Sequence, residues 1–83
     1  MYHLYILRCA DDTLYTGIAR DLDRRLVEHN TSKIGAKYTR SRRPVRLVYA
    51  RVYSNRSAAL RAEAATKKLK RSQKLALIDD FAA

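Results

Sequence analysis

The sequence predicts an α+β fold, a small three-stranded antiparallel sheet flanked by helices in the order β-β-α-β-α-α. Three observations carry this. Residues 2–9 form an almost unbroken apolar and aromatic run, followed by a turn signal and a second β-forming stretch. Residues 45–53 alternate loosely between apolar and basic side chains. Three other segments show helical periodicity behind residues that cap helices well. A length of 83 residues allows one domain over 1–83 with one modest core.

The elements follow in order. Asp11-Asp12 marks a turn, so residues 2–9 and 13–18 pair as a hairpin across 10–12. Gly17 lies late in the second strand, where a bulge or a close backbone approach is expected. Asp21 is a good N-cap for a helix from Leu22 to Asn30. At 100° per residue Leu22 and Leu26 share one face, Arg25 and His29 fall at its edge, and Arg24 points away. Residues 31–45 are polar and basic, broken by Gly35 and Pro44, and read as a loop. A loop of that length inside a small domain favours function over mere connection. Val45–Tyr53 is the third strand. Ser54 or Asn55 caps a helix over 56–70, with Ala58, Ala62, Ala65 and Leu69 as its apolar stripe. Ser72 caps a last short helix that turns Leu75, Ile78 and Phe81 inward.

Charge narrows the partners. The net charge is +10, and from His29 to Ile78 fourteen Lys or Arg face a single acid, Glu63. Nucleic acid is the commonest partner of so basic a chain, with an acidic membrane surface next. No apolar run approaches the roughly 20 residues of a membrane-spanning helix, and no basic leader precedes Tyr2-His3-Leu4-Tyr5. The single Cys9 cannot form an internal disulfide. Together these give the expectation of a cytoplasmic protein without a membrane partner. Cys9 reads as a small buried side chain rather than a reactive thiol.

Six tyrosines against one phenylalanine mean rings with polar tips. Tyr5 and Tyr15, on the paired strands, are either core rings with hydroxyls at the surface or two hydroxyls that converge. Arg25 either snorkels over the core edge or aims its fork at a phosphate. His29 is either a solvated or capping group near a helix end or a proton-transfer group. Glu63 either pairs with Lys67 one turn on, worth about 0.2–0.5 kcal/mol, or ligates magnesium, which needs only one or two carboxylates. Lys33, Lys37, Arg40, Arg42 and Arg43 in the loop, with Lys67 and Lys70, are candidate phosphate contacts, and Tyr38 could stack on a base.

These residues resemble a known family. His3-Leu4-Tyr5, nine residues, then Tyr15-Thr16-Gly17, is similar to the paired signature of the GIY-YIG nuclease domain. Its arginine, ten residues after the second tyrosine, falls on Arg25, and the histidine or tyrosine one turn later on His29. The glutamate of a later helix falls on Glu63 within Ala-Ala-Leu-Arg-Ala-Glu-Ala. The Gly-Ala-Lys-Tyr-Thr-Arg stretch at 35–40 resembles the small single-domain bacterial group called UPF0213. The resemblance covers nearly the whole chain and implies a three-stranded antiparallel sheet flanked by helices.

The resemblance also implies metal-dependent phosphodiester hydrolysis, an endonuclease acting on DNA, including branched or damaged DNA. Tyr5 and Tyr15 would position and help deprotonate the attacking water. Arg25 would neutralise charge on the phosphate. His29 would move a proton or hold a tyrosine hydroxyl. Glu63 would hold one Mg2+ or Mn2+. Departures are His3-Leu4 and Thr16 in the name-giving signatures, and Ile18 where the repair excision nucleases carry a lysine. No asparagine follows Asn55, though some homing endonucleases use a late one. Most characterised relatives carry a separate DNA-binding domain, so a protein partner could supply specificity. The rival expectations are a non-catalytic nucleic-acid-binding or accessory module, and a domain that binds acidic proteins.

Overall fold

Tyr2–Arg8 (β1) lies between Leu14–Ala19 (β2) and Arg46–Tyr53 (β3) in an antiparallel sheet of order β2-β1-β3. The computed structural model describes residues 1–31 and 35–83. The helices are Leu22–Thr31 (α1), Lys37–Arg40 (α2), Arg56–Lys67 (α3) and Arg71–Ala82 (α4). The predicted sheet and the order of its flanking helices hold. The differences are one added short helix, shifted helix ends, the face that α3 buries and the cap of the last helix.

The hairpin closes where the turn signal stands. Cys9 N–H donates to the Thr13 carbonyl at 2.9 Å, and Asp12 adopts φ 69°, a left-handed conformation that aspartate tolerates better than most residues. Asp11 Oδ1 accepts from both the Thr13 amide and its hydroxyl, which pulls the Asp11 carboxyl below its ordinary range. Asp12 pairs with Arg8 at 2.7 Å and with Arg71 at 3.2 Å, tying the start of α4 to the hairpin.

Register decides which side chains share a face. Tyr5 stands opposite Gly17 and Leu7 opposite Tyr15, so the Tyr5, Leu7 and Tyr15 side chains share the face on which Gly17 leaves a gap. Tyr5, Leu7, Cys9 and Val45 form the buried cluster on this face, with Tyr15, Ala19, Leu22, Leu26 and Leu47 packed against it. Leu22 and Leu26 thus seat α1 here, as the helical phase predicts. Cys9 is buried, and burial pushes its thiol pKa up, which fits packing rather than reactivity. Leu4 and Ile6 point to the opposite face. There Tyr49, the partner of Ile6, meets the Phe81 ring of α4 at 5.6 Å. Helix α3 packs along β1 and β2.

No register shift occurs at Gly17; of the two readings, close approach is the one observed. A Cβ there would sit 2.6 Å from the Tyr5 hydroxyl oxygen and 2.8 Å from its ring carbon. The bulge falls elsewhere, between Ile6 and Leu7, where the β3 partner jumps from Tyr49 to Leu47.

Asp21 Oδ1 accepts from the Arg24 amide, so the predicted cap of α1 forms. The 31–45 loop contains α2, whose first turn the basic composition hid. Of the two candidates before α3, Asn55 is the cap, accepting from the Ala58 amide at 2.8 Å. Helix α3 ends at Lys67 rather than 70, and it is rolled relative to the predicted stripe. Ala59 and Thr66 are buried while Ala65 is exposed. Thr66 can be buried because its hydroxyl donates to the Ala62 carbonyl at 2.7 Å. Helix α4 starts one residue before Ser72. Its N-cap is Lys70, whose amide donates to the Gln73 side chain. Of its three inward candidates Ile78 is buried, Leu75 half-buried and Phe81 exposed.

Candidate active site

The two tyrosines converge. Their ring centroids are 6.4 Å apart, and the His29 ring lies 5.8 Å from Tyr5 and 5.2 Å from Tyr15. Tyr38, from α2, stacks on Tyr15 at 5.9 Å. Strands β1 and β2, helix α1 and helix α2 therefore each deliver one ring to a single cluster.

Tyr5 is not a core ring with a surface hydroxyl. It is 1% exposed, and its hydroxyl lies 2.8 Å from His29 Nε2. His29 is neither solvated nor exposed at a helix end, being 0% exposed. Its other nitrogen, Nδ1, lies 2.9 Å from the Thr39 hydroxyl. Burial is the main reason its pKa drops to about 4, and the Arg25 charge adds to the effect. His29 is therefore neutral at pH 7. Burial, and then the neighbouring Tyr15, push the Tyr5 pKa up to about 12, against the pull of an Arg25 hydrogen bond. The Glu63 charge raises it further, so α3 brings that carboxylate within electrostatic reach of the tyrosine.

Arg25 and Arg24 separate as the helical phase predicts. Arg24 has 75% of its side chain exposed, and Arg25 has 28%. Glu28 bridges them, with one oxygen 3.1 Å from Arg25 and the other 3.3 Å from Arg24. Burial disfavours the Arg25 charge, but hydrogen bonds to Glu28 and Tyr5 and their charges outweigh it, so its pKa is raised. Beside this pair an open groove of about 280 Å³ is lined by Ile18, Ala19, Arg20, Asp21, Arg24, Arg25 and Glu28. It is basic on balance and large enough for a phosphate group.

The candidate phosphate contacts divide. Lys33 lies outside the described residues. Lys37 and Arg40 are exposed on α2, beside Tyr38. Arg42 and Arg43 are drawn into the fold. Arg43 Nε donates to the His29 carbonyl at 2.6 Å and a terminal nitrogen to that of Glu28, serving the end of α1. Arg42 donates to the Tyr38 carbonyl, pairs with Asp11 at 3.0 Å, and lies 3.9 Å over the Tyr38 ring. A base stacking on that face of Tyr38 would have to displace a guanidinium. Lys67 pairs with Glu63 at 3.5 Å, and exposed Lys70 begins α4.

Sequence reasoning gave no site role to four residues of this region. Thr39 and Glu28 contact the site directly. Gly35 lets the chain approach α1, since a Cβ there would fall 2.5 Å from the Glu28 carbonyl. Asn30 holds Val45 like a strand partner, accepting from its amide at 2.7 Å and donating to its carbonyl at 2.9 Å. Only the glycine left a visible signal.

A family model described as the GIY-YIG catalytic domain matches residues 1–76. The chain belongs to the GIY-YIG family. A UPF0213 protein of Streptococcus pyogenes serotype M5 is 57% identical over 77 residues, covering 92% of this chain and 83% of that one. Another, from Syntrophus aciditrophicus, is 51% identical over 76 residues, covering 92% and 87%. The solution NMR structure of an E. faecalis protein superposes with a TM-score of 0.66 at 43% identity, covering 98% of this chain and 85% of that one. That of a Bacillus halodurans UPF0213 protein gives 0.61 at 42%, covering 95% and 84%. In this GIY-YIG chain the last glycine of the second signature has a physical reason: the Tyr5 ring lies over it.

A family metal would have one carboxylate to bind. Among the described residues no group of three His, Cys, Asp or Glu side chains could hold an ion. Glu63 fits a magnesium-type ion that keeps its waters and shares a substrate phosphate, because its present partner is a half-exposed lysine 3.5 Å away that such an ion can displace. No helix among the described residues is long and apolar enough to cross a membrane.

Proposed function

We propose that this chain is a metal-dependent endonuclease that hydrolyses phosphodiester bonds in DNA, branched or damaged DNA included. The observation that carries the reading is the 2.8 Å contact between a buried tyrosine hydroxyl and a buried, neutral imidazole. Buried titratable groups with strongly shifted pKa values beside a basic groove are the arrangement that proton-transfer sites use.

Tyr5 cannot hold a standing negative charge, because its pKa lies far above neutral. It can still relay. As its oxygen takes a proton from the attacking water, its own proton passes to His29 Nε2. Afterwards the imidazolium gives that proton back to the Tyr5 oxygen while Tyr5 releases the water-derived proton to the leaving oxygen or to solvent, so both groups end neutral. Tyr15, in ring contact with both groups, orients the water. Arg25 turns from Glu28 to the phosphate oxygens and offsets their growing charge. Glu63 would hold the divalent ion, Mg2+ or Mn2+. Such an ion supplies Lewis-acid stabilisation of the phosphate and leaving oxygens and makes water easier to deprotonate. Lys37 and Arg40 would contact the nucleic-acid backbone.

The test is cleavage of linear, nicked and branched DNA by purified protein with magnesium or manganese. Loss of cutting in Glu63→Ala with retained binding supports the proposal; unchanged cutting in that variant refutes it. One observation favours the rival non-catalytic module: the Tyr5 proton is held tightly. That reading predicts salt-dependent binding without cleavage under any metal.

A further inference from the structure

We propose that Thr39 is a positioning residue that locks His29 in the tautomer able to accept the Tyr5 proton. The inference rests on the nuclease reading for its purpose but on hydrogen-bond counting for its content. Among the described residues, the proton on the Tyr5 hydroxyl has one acceptor within reach, His29 Nε2 at 2.8 Å. Arg25, whose charge reaches the same hydroxyl, is a guanidinium with no acceptor and so cannot take that proton. Nε2 must then carry no hydrogen, and in a neutral ring the hydrogen sits on Nδ1.

Nδ1 faces the Thr39 hydroxyl at 2.9 Å. That hydroxyl has one proton, and the Ala36 carbonyl oxygen, which can only accept, lies 2.9 Å from it. The chain closes in one direction: Tyr5 O–H to Nε2, Nδ1–H to Thr39 Oγ1, Thr39 O–H to the Ala36 carbonyl. Reversed, the His29 Nε2–H would point at the Tyr5 oxygen, and the Tyr5 proton would have no acceptor among the described residues. An orphan of that kind costs about 1–3 kcal/mol in a buried site.

Burial adds force to the count. Thr39 and His29 are each 0% exposed, so water cannot replace a missing partner. Helix α2 is only four residues long, and its Thr39 amide also donates to the Ala36 carbonyl. The Arg40 amide donates to that carbonyl as well, and the short helix holds the Thr39 hydroxyl between it and the imidazole, with its proton toward the carbonyl and a lone pair toward Nδ1. The buried part of the 35–40 stretch serves the proton relay, while Lys37 and Arg40 face outward.

The decisive measurement is the 15N spectrum of imidazole-labelled protein, which distinguishes the two neutral tautomers. Native His29 should be the Nδ1–H form, Thr39→Ser should retain it, and Thr39→Val should mix the tautomers or reverse them. Cleavage should fall about 10–100-fold in Thr39→Val and recover in Thr39→Ser, with DNA binding unchanged. An Nε2–H form in the native protein overturns the inference, as does an unaltered tautomer in a folded Thr39→Val. If Thr39→Val does not fold, the native and Thr39→Ser spectra still decide. Failure of the native protein to cut any nucleic acid would overturn the nuclease reading alone, since the tautomer is read without turnover.

Discussion

The two sides of the site are built differently. On the inner side, Tyr5, His29 and Thr39 are each almost wholly buried and joined end to end by hydrogen bonds of 2.8 and 2.9 Å. On the outer side, Arg25, Glu28, Glu63 and Lys67 are partly exposed and held in ion pairs of 3.1 to 3.5 Å. Burial makes the inner chain costly to leave incomplete, so its geometry is fixed before substrate arrives. Pairs near solvent are worth little and exchange partners readily. The inner side prepares proton movement, whereas the outer side keeps its charges in temporary pairs that a phosphate and a cation can replace.

The sharpest way to break this contrast is Glu63→Gln, which keeps shape and removes charge. Cleavage should fall at least about 100-fold with DNA affinity equal or higher, measured by gel assay and anisotropy. Tyr5→Phe attacks the inner side. It should lower cleavage by about 100-fold and stability by about 1–3 kcal/mol in urea unfolding, because Nε2 of His29 loses its partner.

The pH dependence of stability separates the two sides further. His29 has a folded pKa of about 4 against an ordinary 6.5, so the unfolded chain binds its proton first as pH falls. Stability attributed to this group is complete above pH 6.5. It declines toward pH 4 by a sum on the order of 2–3 kcal/mol. Urea midpoints across that window should show the slope, and His29→Gln should flatten it. The smallest effect belongs to the outer side. Glu28→Gln should tighten DNA binding about two- to five-fold by releasing Arg25, while leaving the unfolding midpoint nearly unchanged.

Much of this was legible in the sequence because it depends on local geometry. Asp21 and Asn55 announced their helices, and helical phase separated Arg25 from Arg24. The β1–β2 register, set by a short turn, brought Tyr5 and Tyr15 together. What stayed hidden depends on contacts distant in sequence. Arg42 and Arg43 looked like phosphate contacts because charge does not reveal where the carbonyl ends of a helix need donors. Thr39 lies ten residues from His29 in a stretch whose composition suggests a loop, and only folding shows that its hydroxyl meets the ring. The roll of α3 was missed because alanine-rich helices offer several similar faces, and Thr66 is an unexpected residue to bury.

The Tyr5 ring over Gly17 ties chemistry to the folding units of the molecule. Its hydroxyl rests above the middle of the β1–β2 hairpin, and β1 is the central strand of the sheet. Amides in such a central strand are expected to exchange with solvent only through the largest openings of the chain. The Thr39 end of the same relay belongs to a four-residue helix whose main packing partner is α1. Local opening of α2 would expose the imidazole without moving the tyrosine. Deuterium uptake should therefore be fast over 37–40 and slow over 4–7, so the relay can be interrupted at one end while its reacting oxygen stays in place.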